Sequence, residues 1–402
     1  MSDNKLNTLF KKPFSTKSGC YIVTLASLLG YFFYHIIVNG KPHASGYYLI
    51  HYLYTYNHGF VARGLLGEII SYFYDTVSNE LVSNITTFFS FLLFVATGLC
   101  IGKALSKVKD DSERFLTVAA LSVIACALPA SLGLHLEAIH LDKIFWALAL
   151  FCVFISDRKY AAWLVPPLCV AATLINPLFL FSSMILVSII LLQQLLDSKF
   201  SLKRAAICIV SYASMIAVGI YSPISEKKLG FSSPAELLEF YFARYDGTLS
   251  QSTYDGFVNE WLYDYFEPID EILKLSVEYY LIGLSWAQRC VLYFIFVALP
   301  VYLLLTKLWK TAIKYENNKF QKFIYFLCMI SPVVIIPPLI LGWELPRYVT
   351  DNVLVQLGLI IYFVCNGHAA VLTTIKQIIE YCKEHIATTV IVALYFVTVI
   401  VM

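Results

Sequence analysis

Asp142 opens an apolar segment that is short for its apparent task. The uncharged run that follows, Ile144 to Ser156, holds 13 residues, whereas a helix needs about 20 to cross a bilayer. A crossing here must draw Asp142 and Lys143 into the membrane. An ionisable residue in that position is costly and marks a functional site by default; an Asp-Lys pair snorkelling at the headgroups fits the same sequence. Glu137 and His140 stand just upstream and either share the pocket or cap the turn. A second constellation is Gly59-Phe60-Val61-Ala62-Arg63-Gly64-Leu65-Leu66-Gly67-Glu68. Its glycines allow a close backbone approach, and the planar fork of Arg63 suits phosphate oxygens. The plainer alternative is an arginine that anchors the loop to headgroups. Glu68, one turn on, is placed to act as a general base or to lie on a solvated helix face. Arg289, about one turn inside an apolar segment, and Arg347, in Gly342-Trp343-Glu344-Leu345-Pro346-Arg347-Tyr348, are further candidate phosphate ligands, with Glu344 as an ion-pair partner for Arg347. Arg244 stands beside Asp246 in a polar stretch and completes the set of candidate anion binders, together with His58.

Six of the eight histidines (His35, His43, His51, His58, His135 and His140) fall at or near one boundary of the apolar segments, with most of the acids and arginines just named. Any active site therefore faces one side. The histidines lack zinc-ligand spacing. No cofactor is implied, and a divalent cation held by carboxylates and a substrate phosphate is compatible with the residues. There is no Walker A sequence, no GxGxxG and no GxSxG elbow, which leaves ATP-driven transport, kinase chemistry and serine hydrolysis without support.

The elements that must position these residues are membrane helices. Of 402 residues, 59% are apolar and 14% charged, with mean hydropathy +0.71; a soluble protein carries about 45–50% apolar and about 25% charged. The sequence predicts an all-α polytopic membrane protein of about eleven spans, near 20–38, 84–102, 115–134, 141–156, 160–175, 177–196, 205–222, 281–306, 323–342, 352–366 and 386–402. The charge-free stretch 160–196 is 37 residues long, too long for one crossing, and Asn176-Pro177 divides it into a hairpin because proline disfavours helix at the residue before it. With the N-terminus inside, twenty of the 29 Lys and Arg residues fall in inside segments, while 18 of the 27 acidic residues fall outside, in keeping with the positive-inside rule. None of the ten cysteines lies in an outside loop, so no disulfide framework is implied. A net charge of +2 argues against nucleic acid as a partner.

The chain then divides into an N-terminal tail (1–19), a seven-span module (20–222) with a long outer loop at 39–83, a second outer loop at 223–280, and four C-terminal spans (281–402). Loops of that length are functional or disordered, and both are rich in aromatics. Leu65, Leu66, Ile69, Ile70 and Phe73 recur at helical spacing in the first, while Leu237, Leu238, Phe240, Tyr241 and Phe242 cluster in the second. Both patterns predict helices lying on the membrane surface.

This layout resembles the GT-C superfamily of membrane glycosyltransferases, which has a seven-span module, a long first outer loop with membrane-parallel helices, and another long outer loop after the seventh span. The Asp-x-Asp-like motif of that family is absent from the first loop, where Glu68 would have to serve. In size, span count and arginine-bearing outer loops the chain also resembles bacterial O-antigen polymerases. The resemblance implies a sugar donor on a polyprenyl phosphate or diphosphate, a glycan or lipid-linked acceptor, and a bacterial inner membrane with a periplasmic active face. Arg63, Arg289 and Arg347 would clamp the leaving phosphate. Asp142 or Glu68, with Glu137 nearby, would take the acceptor proton. Polymerisation of lipid-linked repeat units, flipping of a lipid-linked oligosaccharide and a scaffold without chemistry are the competing readings.

Overall fold

The computed structural model describes residues 16–42, 47–61, 63–106, 141–226, 229–257, 274, 294–341 and 345–401. These are almost entirely helical. Six helices among them are long and apolar enough to cross a membrane: Lys17–Asn39, Asn79–Leu105, Leu202–Tyr221, Phe294–Tyr315, Lys319–Pro338 and Arg347–Cys365. Length explains most of the difference from the expected eleven. The helix Asp142–Ile155 has 14 residues, or about 21 Å of rise, against a hydrocarbon core of about 30 Å. Ala161–Ile175 and Ser183–Asp197 are similarly short. The expected span at 115–134 and the start of that at 281–306 lie outside the described residues.

Helix α1 (Lys17–Asn39) is capped by Thr16, whose hydroxyl accepts from the Gly19 amide. The 3-10 turn Tyr47–Tyr52 and the short α2 (Leu65–Ser71) follow. Strand β1 (Val77–Ser78) leads into α3 (Asn79–Leu105). Helices α1 and α3 pack closely because Gly98 and Gly102 present no side chain to their partner. A Cβ on either would come within 2.9 Å of Leu25 or 2.8 Å of Tyr21, and small residues serve this purpose where membrane helices meet. The Thr24 hydroxyl adds a 3.0 Å bond to the Gly98 carbonyl.

Helices α4 (Asp142–Ile155), α5 (Val165–Ile175) and α6 (Ser183–Asp197) form the centre of the bundle. The chain does break at Asn176-Pro177: Asn176 is extended, and its side-chain oxygen accepts from the Leu178 amide at 3.1 Å. Helix α7 (Leu202–Glu226) packs along α5. The second long loop contributes α8 (Pro234–Phe242), β2 (Tyr245–Asp246) and α9 (Gln251–Gly256). Ser233 caps α8, and Glu236 reaches back to the Ser232 amide at 2.8 Å, which holds its carboxyl below the usual carboxylate range.

A π-turn at Phe294–Ala298 precedes α10 (Leu299–Tyr315), which runs nine residues past the expected end of its span. Helix α11 (Lys319–Ile330) is broken by the 3-10 turn Ser331–Ile335, which holds Pro332, before α12 (Ile336–Leu341). Helix α13 (Leu345–Cys365) starts well before the expected 352, so Arg347 and Asp351 sit on a helix instead of in a loop. The expected inner connector 367–385 forms α14 (Ala369–Glu384), which packs on α10 and buries Ala370, Val371, Thr374 and Ile379, and α15 (Ile386–Val401) follows.

The break between α11 and α12 frees backbone carbonyls inside the bundle, and α13 supplies their donors. Gln356 Nε2 donates to the Cys328 carbonyl at 2.8 Å and to Ser331 Oγ at 2.5 Å, and Gln356 Oε1 accepts from Trp309 Nε1 at 2.6 Å. Gln356 and Trp309 are both fully buried. A leucine at 356 would strand both the indole N–H and the carbonyl. Gln356→Leu is expected to cost about 1–3 kcal/mol, which thermal unfolding of the purified variant in detergent would register as a lowered midpoint.

Candidate functional site

The two long loops fold against each other. Strands β1 and β2 pair in parallel, Val77 with Tyr245 and Ser78 with Asp246. Around them Leu49, Tyr52, Leu53, Tyr54, Leu66 and Ile70 from the first loop pack with Leu237, Leu238, Tyr241 and Phe257 from the second. Leu141, Ile144 and Ile175 belong to the same cluster and join this cap to one end of the bundle. At that seam lies the densest buried charge among the described residues.

Asp142 is 3% exposed and sits in the first turn of α4, where the helix dipole favours a carboxylate. Arg347, in the first turn of α13, holds it bidentately: Nε is 2.5 Å from Oδ2 and Nη2 is 2.6 Å from Oδ1. Asn176 donates to Oδ1 at 3.2 Å. One turn further along both helices Trp146 Nε1 donates to Asp351 Oδ1 at 2.7 Å. Helices α4 and α13 are therefore joined twice, through residues spaced i and i+4 on each. Lys143 is 1% exposed beside the pair.

A line of polar groups runs from this pair into the cap. The Arg347 guanidinium lies 5.8 Å from the Tyr48 ring centre, and Tyr48 is followed by His51, with ring centres 6.3 Å apart. Arg63 Nη1 approaches His51 Nε2 at 3.1 Å. A guanidinium can only donate, so that imidazole nitrogen accepts and the neutral ring carries its proton on Nδ1. Arg63 itself has φ +71, a left-handed conformation that a non-glycine residue adopts only when its surroundings hold it there.

A second cluster lies within the cap. Glu68 Oε2 accepts from the Tyr56 amide at 2.9 Å, Arg244 Nη1 donates to the Leu53 carbonyl at 2.7 Å, and the Tyr241 hydroxyl donates to the Thr55 carbonyl at 3.0 Å. The first loop is thus tied down by Glu68 from one side and by α8 and β2 from the other. Burial pushes the Tyr56 phenol up to about 12, with the nearby Glu68 carboxylate adding to the effect. Burial likewise raises Tyr241 and lowers Arg244, and the Glu68 carboxylate offsets part of the latter. Arg244 Nη2, the Tyr56 hydroxyl and Thr55 Oγ1 are buried with no hydrogen-bond partner among the described residues. Such groups cost free energy unless something fills the gap.

The structure thus brings Asp142 and Arg347 into contact, links Arg63 to them through Tyr48 and His51, and groups Glu68 with Arg244. His58 stands apart on the exposed rim, packed against Phe231 and Phe240 at 4.9 and 4.2 Å between ring centres. Glu137, His140, Arg289 and the expected Arg347 partner Glu344 lie outside the described residues. Gly64 and Gly67 serve packing: a Cβ on Gly67 would collide with the Tyr54 carbonyl oxygen, and one on Gly64 would stand 2.8 Å from the Tyr56 ring. Sequence reasoning missed Asn176, Trp146 and Tyr241 as parts of these clusters. The matched i, i+4 pairs Asp142/Trp146 and Arg347/Asp351 carry a signal for the first join. Among the described residues, no three His, Cys, Asp or Glu side chains converge as metal ligands. The chain matches no family model, no curated protein and no solved structure.

Removing one partner of a buried ion pair leaves the other charge uncompensated. Arg347→Ala is expected to destabilise the protein by about 3–5 kcal/mol. The double variant Asp142→Asn/Arg347→Gln, which removes both charges and keeps hydrogen-bonding groups, is expected to recover part of that loss. Unfolding midpoints of the three proteins in one detergent test the pairing.

Proposed function

We propose that the protein is a membrane glycosyltransferase that transfers sugar from a polyprenyl-phosphate or -diphosphate donor to a glycan or lipid-linked acceptor. In this reading the chain crosses a bacterial inner membrane about eleven times with its N-terminus in the cytoplasm, and the capped end faces the periplasm. The observation that carries the proposal is the placement of the Asp142–Arg347 pair and the Tyr48–His51–Arg63 line at the seam between a folded two-loop cap and the apolar helices. A lipid-linked phosphate needs such a boundary, with its tail among helices and its charge beside guanidinium groups.

Reaction at that seam joins the acceptor hydroxyl oxygen to the anomeric carbon of the donor. The bond from that carbon to the phosphate oxygen breaks, and the lipid phosphate leaves with the electron pair. Arg347, Arg63 and Arg289 balance the negative charge that develops on it, with His140, His58 and Arg244 as further contacts to donor or acceptor. The acceptor proton passes to a carboxylate. Both oxygens of Asp142 accept from Arg347, which assigns Asp142 the role of holding Arg347 in place. Among the described residues Glu68 engages only one oxygen, on the Tyr56 amide, which favours it as the base over Asp142.

One observation favours a second reading, a flippase for lipid-linked oligosaccharide. Below Arg347, α13 buries Asp351, Asn352 and Gln356, a polar stripe that descends into the bundle. Deleting the gene and resolving the surface glycans separates the readings: short products indicate single-sugar transfer, loss of a length ladder indicates polymerisation, and accumulation of complete lipid-linked donor on the inner leaflet indicates flipping. Glu68→Gln keeps an oxygen for the Tyr56 amide and is expected to lower transfer about 10²–10⁴-fold at normal protein level. Full transfer by this variant would remove Glu68 as the base, and unchanged glycans on deletion would remove the enzyme reading.

A further inference from the structure

We propose that the end of α10 remote from the cap binds the headgroup of an anionic phospholipid. The proposal rests on the membrane assignment of the helices and not on glycosyl transfer. Lys307, Lys310 and Lys314 recur at i, i+3 and i+7 and so share one face of α10. They line a shallow groove with Thr306, Thr311 and Leu303. The three ammonium groups span about 10 Å along the helix.

Three observations make this more than a solvated helix end. First, all three lysines are exposed and none is paired with a carboxylate among the described residues. The nearest acid in sequence, Glu316, is turned onto its own loop, accepting from the Asn317 and Asn318 amides at 2.9 and 3.0 Å. Second, α14 packs on α10 and supplies a wall. The Lys307 ammonium stands 5.9 Å from the Tyr381 ring centre, and Gln377 Nε2 donates to the Tyr315 hydroxyl at 2.5 Å. Third, the groove turns apolar in the direction of the bundle. Leu303 and Leu304 are 61% and 54% exposed, which suits acyl chains lying along the helix while a phosphate meets the lysines. Thr311 Oγ1 donates to the Lys307 carbonyl and so keeps its hydroxyl oxygen in the groove.

Charge complementarity selects the occupant. A zwitterionic headgroup carries its own cation into a cluster of three unpaired ammonium groups, whereas a phosphatidylglycerol-type headgroup brings net negative charge. Basic clusters beside membrane helices bind anionic lipids with about 1 kcal/mol for each Lys or Arg near the surface.

The test titrates the full-length protein in neutral detergent with phosphatidylglycerol or with phosphatidylcholine, and counts bound lipid by native mass spectrometry. The variant is Lys307→Gln/Lys310→Gln/Lys314→Gln, whose substitutions lie on an exposed face. The wild type is expected to retain phosphatidylglycerol over phosphatidylcholine, and the variant to bind it roughly 100-fold more weakly, with phosphatidylcholine binding unchanged. Equal retention of both lipids by the wild type, or an undiminished phosphatidylglycerol affinity in the variant, would overturn the proposal. Glycan transfer by the variant reports on the previous section alone. A loss of unfolding midpoint in lipid-free detergent would show a folding defect, and the single variant Lys310→Gln, expected to weaken binding by roughly fivefold, then decides the matter.

Discussion

The bidentate contact between Asp142 and Arg347 is the constraint on which the candidate site depends. Two opposite charges withdrawn from water recover the desolvation cost only when their geometry is tight and their remaining hydrogen-bonding positions are filled. Here both carboxylate oxygens are engaged by the guanidinium, and Asn176 adds a donor. Each partner comes from the first turn of a different helix, and the donor comes from the break between two more. The pair therefore fixes where α4 begins, where α13 begins and where the chain turns between α5 and α6. Trp146 and Asp351 repeat the join one turn deeper. Three segments separated by up to 205 residues in sequence meet at one point.

The cap follows a different logic. It is held by aromatic packing and backbone capture. Tyr54 and Tyr241 meet edge to face at 4.8 Å between ring centres, and the side chains of Glu68, Arg244 and Tyr241 take backbone groups of residues 53–56. An irregular segment has backbone donors and acceptors to satisfy, and long-range side chains do that here where regular structure does not. The cost is three polar groups, on Thr55, Tyr56 and Arg244, left buried without partners among the described residues. Thr55 and Tyr56 lie in the segment that Glu68 holds, and Arg244 reaches the same segment at the Leu53 carbonyl.

Much of the fold was legible in the sequence because membrane helices are dictated by composition. The broad apolar segments, the break at Asn176-Pro177 and the short helices near Leu65 and Pro234 all follow from hydropathy and local chemistry. Three features were less legible, each for a physical reason. Helices α4, α5 and α6 are shorter than a bilayer, because side-chain hydropathy reports an apolar environment without reporting how far a helix extends through it. Helix α13 starts at Leu345 despite its charges, because Arg347 and Asp351 are compensated by residues of another helix. The pairing of β1 with β2 involves two residues on each side, too few to leave a periodic pattern.

The site was legible as a list of residue types and not as an arrangement. Asp142 stood out because an acid inside an apolar segment needs a reason, and Arg347 stood out as a candidate phosphate ligand in an expected loop. Their contact depends on where two helices cross, which local sequence does not specify. The geometry also changes what the residues can do. An acid held on both oxygens by an arginine has neither oxygen free to meet another group, as at Asp142. An acid with one oxygen committed to a backbone amide keeps the other for chemistry. Asp142 and Glu68 look equivalent as letters in a sequence, and the bonds made around each carboxylate set them apart: an arginine on both oxygens of one, a backbone amide on one oxygen of the other.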